Sequence, residues 1–432
     1  MTALERLENL RSGRMDLIRH LEELCGWIER LDPEIHALVP GTARRDRIME
    51  EAGRLLERFR DPAQRPPLFG LTLGVKDIFR VTDLPTRCGS SLPSRLFEGP
   101  EAECVTRLRK AGAIIMGKTV TTEFAGFEPG PTRNPRNPLH TPGGSSSGSA
   151  AGVAMGLFAA ALGTQTVGSI TRPAAYCGVI GFKPTSGRIP NRDLIPYAPN
   201  LDQVGFFVED LSILPGVSSS LLDGWRDIPQ HTNPSSLLLG IPQGPYLEQA
   251  CPEERRHFEY LISLFEGAGF SIRRYPLFRD IREINELHGT LSRAEFARVH
   301  AGWFSKYRHL YRPRTLKDIE KGQKKMDDRE LGELRARREK LRRSLLDAMD
   351  ESGVDFWLTP SATQRAPRGL SSTGSPLMNL PWTFLGLPTL SLPASLDREG
   401  LPHGLQVVGR LGRDEILVAA APRIAALLSN RL

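Results

Sequence analysis

Short apolar runs that alternate with a helical segment constrain the fold of this chain more than any other feature. Between residues 68 and 187, the runs Leu71–Val75 and Ala113–Met116 have the length and composition of buried strands. The segment between them, Ala102–Ala111, has the spacing of a helix. Strands that alternate with helices form sheets covered by helices on both faces. We therefore predict an α/β fold with a central mixed, mostly parallel twisted sheet.

The other segments divide the chain into sections of one domain that covers residues 1–432. Residues 1–60 carry apolar positions at three- and four-residue spacing, which predicts two helices. Residues 68–240 form the predicted core, and the highly charged section 246–350 is predicted to be a helical excursion. From 354 to 432 the apolar character returns as closing strands and a helix, with strand candidates at Phe356–Thr359, Thr389–Leu392 and Leu405–Val408. Because the chain leaves the sheet and returns to it, we predict one domain.

Composition excludes several classes of protein. Of 432 residues, 40% are hydrophobic and 25% are charged, which is typical of a globular protein. The five cysteines are scattered and form no C-x-x-C pair, which argues against disulfides and a zinc site and predicts a cytoplasmic protein without metal or cofactor. The N-terminus lacks the apolar region of a signal peptide. The longest apolar run, Ala150–Gly163, is too short to span a bilayer and is predicted to be a buried helix.

The net charge of +7 would suit anionic partners. The basic residues are, however, mixed with acidic ones and form no patch with aromatic residues. Direct binding of nucleic acid is therefore not expected.

Glycine and serine dominate residues 141–152, which read Thr-Pro-Gly-Gly-Ser-Ser-Ser-Gly-Ser-Ala-Ala-Gly and directly precede an apolar segment. This composition predicts a loop of closely spaced N–H groups and hydroxyls at the start of a helix. A flexible linker is disfavoured, because the run is short and lies between core-like segments. A phosphate loop would need a lysine and a glycine spacing that are absent here. Residues Gly143–Ser147 do not match the G-x-S-x-G elbow of α/β-hydrolases.

A second serine, Ser169, follows a glycine within Gly163-Thr-Gln-Thr-Val-Gly-Ser. A tight turn there would let neighbouring N–H groups converge on a carbonyl oxygen, as oxyanion stabilisation requires. A serine nucleophile also needs a base. Of the nine histidines, only His140 lies near these loops in the sequence, and no acidic residue stands beside it. A Ser–His–Asp triad assembled across the fold stays an alternative at this point.

Several blocks of the chain, taken together, resemble the amidase signature enzymes and are similar to their amidotransferase A subunit-like members. The blocks are Gly74-Val-Lys-Asp, the Gly-Gly-Ser-Ser loop, the stretch from Gly163 to Ser169, and Gly181-Phe-Lys-Pro-Thr, with Gly400-Leu-Pro-His-Gly-Leu-Gln-Val-Val-Gly-Arg near the end. The resemblance runs from about residue 5 onward and is weakest over 246–350. It implies the family's fold and the hydrolysis of a small-molecule carboxylic amide to acid and ammonia or amine, without a cofactor.

The resemblance also implies roles for particular residues. Lys76 would be the general base, used in its neutral form. Ser145, held in a non-proline cis peptide, would relay a proton, and Ser169 would be the nucleophile that becomes acylated. Ser146 would hydrogen-bond within the site. The oxyanion hole would be formed by the backbone N–H groups of Thr166, Val167, Gly168 and Ser169.

Lys76 has the setting that such a role needs. A lysine loses its proton near neutral pH only when it is desolvated or lies beside other cations or donors. Lys76 directly follows the apolar run Leu71–Val75, where a lysine without a function would be costly. The alternative is a lysine at a strand end that extends its ammonium group to solvent. The two serine-bearing loops favour the base.

Four positions depart from the family's usual pattern. Ser147 and Val167 stand where glycine is common, and Gln165 stands where aspartate is common. Thr171 replaces an arginine, with Arg172 one place later. Val167 can still offer its N–H group if its φ is negative, whereas a positive φ would be strained. These departures affect the expected subfamily and substrate more than the expected chemistry.

Three further residues receive modest predictions. Cys177 has apolar neighbours and is predicted to pack in the core. Lys183 is predicted to tie loops together by hydrogen bonds. Asp77 would either support Lys76 or cap the following turn.

The leading hypothesis is a free amidase, and the alternative is the amidase-like subunit of a tRNA-dependent amidotransferase. The basic balance permits the alternative, whereas Gln165 and Thr171 argue against it. A homodimer, or an assembly with a small partner subunit, is compatible with the sequence. An inactive scaffold is disfavoured, because Lys76, Ser145 and Ser169 are all present.

Overall fold

One mixed sheet organises the protein. The computed structural model describes residues 1–228, 237–323 and 328–428. Within them, ten strands join the sheet: β1 (Thr72–Lys76), β2 (Ile114–Thr119), β3 (Ala160–Gln165), β4 (Ile180–Lys183), β5 (Gln203–Val208), β6 (Leu238–Gln243), β7 (Ser271–Pro276), β8 (Phe356–Pro360), β9 (Thr389–Leu396) and β10 (Pro402–Val408). Their order across the sheet is β2-β1-β3-β5-β4-β9-β10-β8-β6-β7. The predicted closing strands at the C-terminal end of the chain therefore occupy the middle of the sheet.

The sheet is parallel at its two ends and antiparallel in its centre. Strands β2, β1 and β3 pair in parallel, as do β8, β6 and β7. The pairings that link β3 to β8 through β5, β4, β9 and β10 are antiparallel. The predicted mixed sheet is confirmed, but the parallel pairings do not form the majority among the described strands. A short connection such as the one between β9 and β10 permits only antiparallel pairing.

Helices cover both faces of the sheet, as predicted. They are α1 (Ala3–Ser12), α2 (Leu17–Ile35), α3 (Arg45–Arg58), α4 (Glu103–Lys110), α5 (Ser147–Ala154), α6 (Thr171–Cys177), α7 (Leu214–Leu221), α8 (Pro245–Glu248), α9 (Pro252–Gly267), α10 (Ile281–Tyr307), α11 (Pro313–Gly322), α12 (Asp328–Ser352), α13 (Leu380–Phe384) and α14 (Asp414–Ala425). In β2, Ile114 and Met116 join one apolar cluster with α2, α3 and α5, whereas Ile115 joins the other cluster with α4, α7 and α9. Alternate residues of a strand point to opposite faces, so each cluster is the core on one face.

Glycines divide two segments that were predicted to be continuous helices. The N-terminal residues form three helices instead of two, because α1 ends at Gly13, whose φ of 77° is left-handed. The apolar run Ala150–Gly163 was wrongly predicted to be one buried helix. Its first residues belong to α5, the chain turns at Gly156 with φ of 68°, and the last residues belong to β3. Apolar periodicity alone cannot separate a short buried helix from a buried strand.

The charged section 246–350 contains a strand that its sequence did not predict. Strand β7 lies at the edge of the sheet and pairs only with β6. Its residues are exposed or half-buried, so it shows no apolar run. Most of the other described residues of the section are helical, and α12 buries Leu331 and Leu345 as its apolar spacing predicted. None of the described helices carries an apolar stretch long enough to cross a bilayer.

Candidate active site

Two parallel strands bring the first parts of the site together. Strands β1 and β3 pair in register, with Val75 opposite Leu162, and both end at the same edge of the sheet. Lys76 is the last residue of β1, and Thr164 lies near the end of β3. Helix α5, which begins directly after Ser146, packs against both strands. The serine loop is thereby held beside the ends of β1 and β3.

The Lys76 side chain is fully buried and contacts two hydroxyls. Its Nζ lies 2.7 Å from Ser145 Oγ and 2.8 Å from Thr164 Oγ1, both within hydrogen-bond distance. Burial lowers the pKa of Lys76 to about 7, and the Asp202 carboxylate opposes this shift. A substantial share of Lys76 is therefore neutral near pH 7, and a neutral amine has a lone pair that can take a proton from Ser145.

Arg172 fixes the backbone on the other side of Ser145. The Gly144–Ser145 peptide bond is cis, and Gly144 O accepts a hydrogen bond from Arg172 Nη2 at 2.6 Å. The same guanidinium donates to Thr373 Oγ1 at 3.2 Å and to Gly374 O at 3.0 Å. Arg172 is buried and stands in α6, just after the second serine loop. It therefore ties together the two serine loops and the segment around Thr373.

The loop that connects β3 to α6 has three consecutive carbonyl groups anchored by hydrogen bonds. These carbonyls belong to Thr166, Val167 and Gly168. Their donors are His288 Nε2 at 2.9 Å, Thr383 Oγ1 at 2.6 Å and the Arg172 N–H at 3.0 Å, respectively. Each anchor comes from a different helix, so the loop is held from three directions.

The N–H groups of the same loop differ from its carbonyl groups in having no anchor among the described residues. Within the described residues, no hydrogen bond joins the N–H groups of residues 166–169 to another part of the chain. In a trans peptide, the N–H points away from the carbonyl of the preceding residue. The anchored carbonyls therefore orient the N–H groups of Val167, Gly168 and Ser169 away from their anchors. Val167 does not have a positive φ, so the strain considered for this position does not arise.

Two of the departures from the family pattern contact each other. Gln165 Oε1 accepts hydrogen bonds from Ile170 N at 2.7 Å, Thr171 N at 2.9 Å and Thr171 Oγ1 at 3.1 Å. Its Nε2 donates to Thr383 Oγ1 at 2.8 Å. A neutral amide and a hydroxyl thus stand where the family pattern has an acid and an arginine. Gln165 closes the turn that carries Ser169.

The structure brings some predicted site residues together and leaves one link open. Lys76 and Ser145 are hydrogen-bonded, and Ser146 Oγ donates to Thr164 O at 3.3 Å. Ser169 is 9% exposed, and its Oγ has no hydrogen-bond partner among the described residues. The predicted link between Ser145 and Ser169 is therefore not formed in this structure. Catalytic hydrogen bonds often form only when substrate is bound.

The other sequence-predicted residues lie outside this site or support it at a distance. His140 Nδ1 lies 2.8 Å from Ala366 O, and no histidine among the described residues hydrogen-bonds Ser145, Ser146 or Ser169. Asp77 pairs with Lys118 at 2.8 Å instead of contacting Lys76. Two of the three modest predictions are confirmed: Cys177 is fully buried, and Lys183 Nζ donates to Leu387 O, Gln203 Oε1 and Pro184 O.

Four residues of the site were not singled out from the sequence. Thr164 lies within a recognised block, so its contact with Lys76 could have been suspected from the pairing of β1 and β3. Asp202 immediately precedes β5 opposite Thr166, and it accepts a hydrogen bond from Thr166 Oγ1. Burial raises the pKa of Asp202 to about 6. His288 and Thr383 reach the loop from distant helices, and no local pattern marks them.

Comparisons with known proteins point to one family. Residues 19–418 match the Amidase family model. A glutamyl-tRNA(Gln) amidotransferase subunit of Lachnospira eligens is 29% identical, and the match covers 97% of this chain and 96% of the relative. The corresponding subunit of Geobacter sp. strain M21 is 30% identical, with the same coverage of both chains.

Solved structures match over almost the whole chain. A crystal structure described as an amidase is 31% identical, with a TM-score of 0.88, and the match covers 99% of this chain and 100% of that one. Fatty acid amide hydrolase shares the fold, with a TM-score of 0.88 at 21% identity over 99% of this chain and 85% of that one. The chain belongs to the amidase family. It is an enzyme that acts on amide C–N bonds, as the sequence predicted.

Proposed function

We propose that this enzyme hydrolyses a carboxylic amide to an acid and ammonia or an amine through an acyl-Ser169 intermediate. Lys76 is the general base in this proposal, and Ser145 relays the proton. The N–H groups of Thr166, Val167, Gly168 and Ser169 bind the oxyanion. The observation that carries the proposal is the buried contact between Lys76 Nζ and Ser145 Oγ, beside a loop whose N–H groups are unpaired among the described residues.

The chemistry follows from these groups. Ser169 Oγ attacks the amide carbon, its proton passes to Ser145, and the proton of Ser145 passes to neutral Lys76. The carbonyl oxygen becomes an oxyanion, which the loop N–H groups stabilise. The C–N bond then breaks as the leaving nitrogen takes a proton back along the same path. Water attacks the acyl-Ser169 ester by the same steps and releases the acid.

The activity is expected to rise with pH through about pH 7. Lys76 must be neutral to accept a proton, and burial lowers its pKa to about 7. Below this pH, kcat/KM should fall about tenfold per pH unit as the amine becomes protonated, and above it the rate should level off. The measurement is kcat/KM between about pH 5 and pH 9. A flat profile over this range would contradict a lysine base.

The direct test of the proposal is the release of ammonia or amine by the purified chain. The panel would contain aliphatic, aryl and ureido amides, together with free glutamine. We expect turnover of at least one amide without any added protein. Covalent trapping with a fluorophosphonate, followed by mass spectrometry, should place the adduct on Ser169.

A second candidate is the amidase-like subunit of a tRNA-dependent amidotransferase. The full-length similarity to two amidotransferase subunits, with identities of 29% and 30%, favours it. Under this proposal the chain would co-purify with partner subunits and would release ammonia from glutamine only in their presence. Turnover by the isolated chain at an ordinary enzyme rate, of the order of 1–10³ s⁻¹, would support the free amidase instead.

A further inference from the structure

His288 reaches the predicted oxyanion loop from the part of the chain that is least recognisable in sequence. It lies on α10, within the charged section, and is only 2% exposed. Its Nε2 stands 2.9 Å from Thr166 O, and its ring meets Phe384 edge-on with centroids 5.4 Å apart. The side chain therefore has a fixed position and one polar contact with the loop.

The charge and tautomer of His288 follow from its surroundings. Burial is the main cause that lowers the pKa of His288 to about 4; the hydrogen bond to Thr166 O opposes this shift, and the nearby Arg338 and Arg293 add to it. The ring is therefore neutral at neutral pH. A carbonyl oxygen can only accept a hydrogen bond. The proton must therefore be on Nε2, which donates to Thr166 O.

This hydrogen bond fixes one peptide plane of the loop. The carbonyl of Thr166 and the N–H of Val167 belong to the same planar trans peptide and point in opposite directions. Thr166 is also held by its side chain, whose Oγ1 donates to Asp202. The peptide can rotate about these points only if the bond to His288 breaks, and such a rotation would turn the Val167 N–H away from the oxyanion.

We propose that His288 is a positioning residue, which orients the Val167 N–H for the oxyanion by holding Thr166 O. The inference rests on the proposed function of the loop as an oxyanion hole. His288 does not touch the substrate in this proposal. Its loss should therefore weaken stabilisation of the transition state and leave substrate binding largely unchanged.

The test compares three variants of the full chain, which are His288→Phe, His288→Gln and a control, His300→Phe. His288→Phe keeps a ring and removes the donor, whereas His288→Gln places an amide N–H the same number of bonds from Cβ as Nε2. The readout is the rate of Ser169 phosphonylation by a fluorophosphonate, because that reaction also places a developing negative oxygen in the hole. Ser169 Oγ forms the bond to phosphorus, the P–F bond breaks, fluoride leaves, and the serine proton passes to the base.

We expect H288F to be labelled about 10- to 100-fold more slowly, which is the scale on which misplaced oxyanion donors act. H288Q should recover most of the rate. On an amide from the panel, H288F should lower kcat with little change in KM. His300→Phe is the matched control. His300 is a second buried histidine on α10, its Nδ1 lies 2.9 Å from Tyr311 Oη, and it does not contact the loop.

Labelling of H288F at the wild-type rate would overturn the inference, and so would equal slowing in H288F and H300F. If H288F does not fold, His288→Asn takes its place. The amide nitrogen of asparagine lies one bond closer to Cβ than Nε2 of histidine does, so it does not reach Thr166 O. Failure of the proposed function is detected by a separate variant. A Ser169→Ala variant that is still labelled, or that still turns over amide, would contradict Ser169 as the nucleophile, whatever the His288 variants do.

Discussion

Replacing Ser169 with alanine should leave the fold intact and lower kcat by several orders of magnitude, about 10³- to 10⁶-fold. The change removes one hydroxyl, which has no hydrogen-bond partner among the described residues, so no other group loses a contact. The turn around it keeps its shape, because Gln165 and Thr383 hold its backbone. The measurement is amide turnover by purified, folded protein, together with loss of the fluorophosphonate adduct.

Ser149→Ala is a matched control for this substitution. Ser149 lies on α5, two residues after the start of that helix, and is fully buried. Its Oγ donates to Leu162 O and pairs with Thr119 Oγ1, away from the proposed catalytic groups. Its loss should lower the free energy of unfolding by about 1 kcal/mol and leave the activity close to wild type. If Ser169→Ala kept even about a tenth of the activity, Ser169 could not be the nucleophile.

Replacing Lys76 with methionine should be almost as damaging. Methionine has a similar length and suits a fully buried position, but it cannot accept a proton. Ser145 would lose the base on which the proposed proton relay depends. We therefore expect kcat to fall by about 10²- to 10⁴-fold, which is the usual rate enhancement from a positioned general base. Any residual activity should no longer rise with pH through about pH 7, the pKa to which burial brings Lys76.

Lys183→Met is the control, because Lys183 matches Lys76 in burial and titration. Burial also lowers the pKa of Lys183 to about 7, and its ammonium group contacts carbonyl and amide oxygens of structural loops. Its replacement should reduce stability by leaving those oxygens unpaired, while the pH profile keeps its wild-type shape. Loss of the pH dependence in the Lys183 variant, with retention in the Lys76 variant, would reverse the assignment of the base.

The features predicted most reliably from the sequence are those that depend on residues close together in the chain. The recognisable blocks are continuous in sequence: Gly74-Val-Lys-Asp and the two serine loops. Their residues lie close together in the structure because β1 and β3 pair in parallel. The sheet class was also predictable from alternating runs. Glycines caused the two errors in the predicted helix boundaries. Gly13 and Gly156 take left-handed φ values, and a helix ends just before each of them.

The residues that hold the loop in place could not be predicted in this way. His288 and Thr383 contact Thr166 and Val167 across 122 and 216 positions of sequence. Such contacts depend on how α10 and α13 pack, and helix packing is set by the whole core instead of by a local pattern. For the same reason, the antiparallel centre of the sheet depends on which strands become neighbours. A single sequence does not encode that choice in any short segment.

The three-way contact of Arg172 limits how this enzyme can change. Its guanidinium joins Gly144 O to Thr373 Oγ1 and Gly374 O, and it remains charged at neutral pH although burial lowers its pKa to about 10. The segment around Thr373 and the two serine loops are thus mechanically coupled. A substitution that shifts this segment will therefore also move Ser145, the proposed relay, relative to Ser169, the proposed nucleophile. Under the proposed mechanism, such a shift slows the proton relay unless a second substitution restores the spacing.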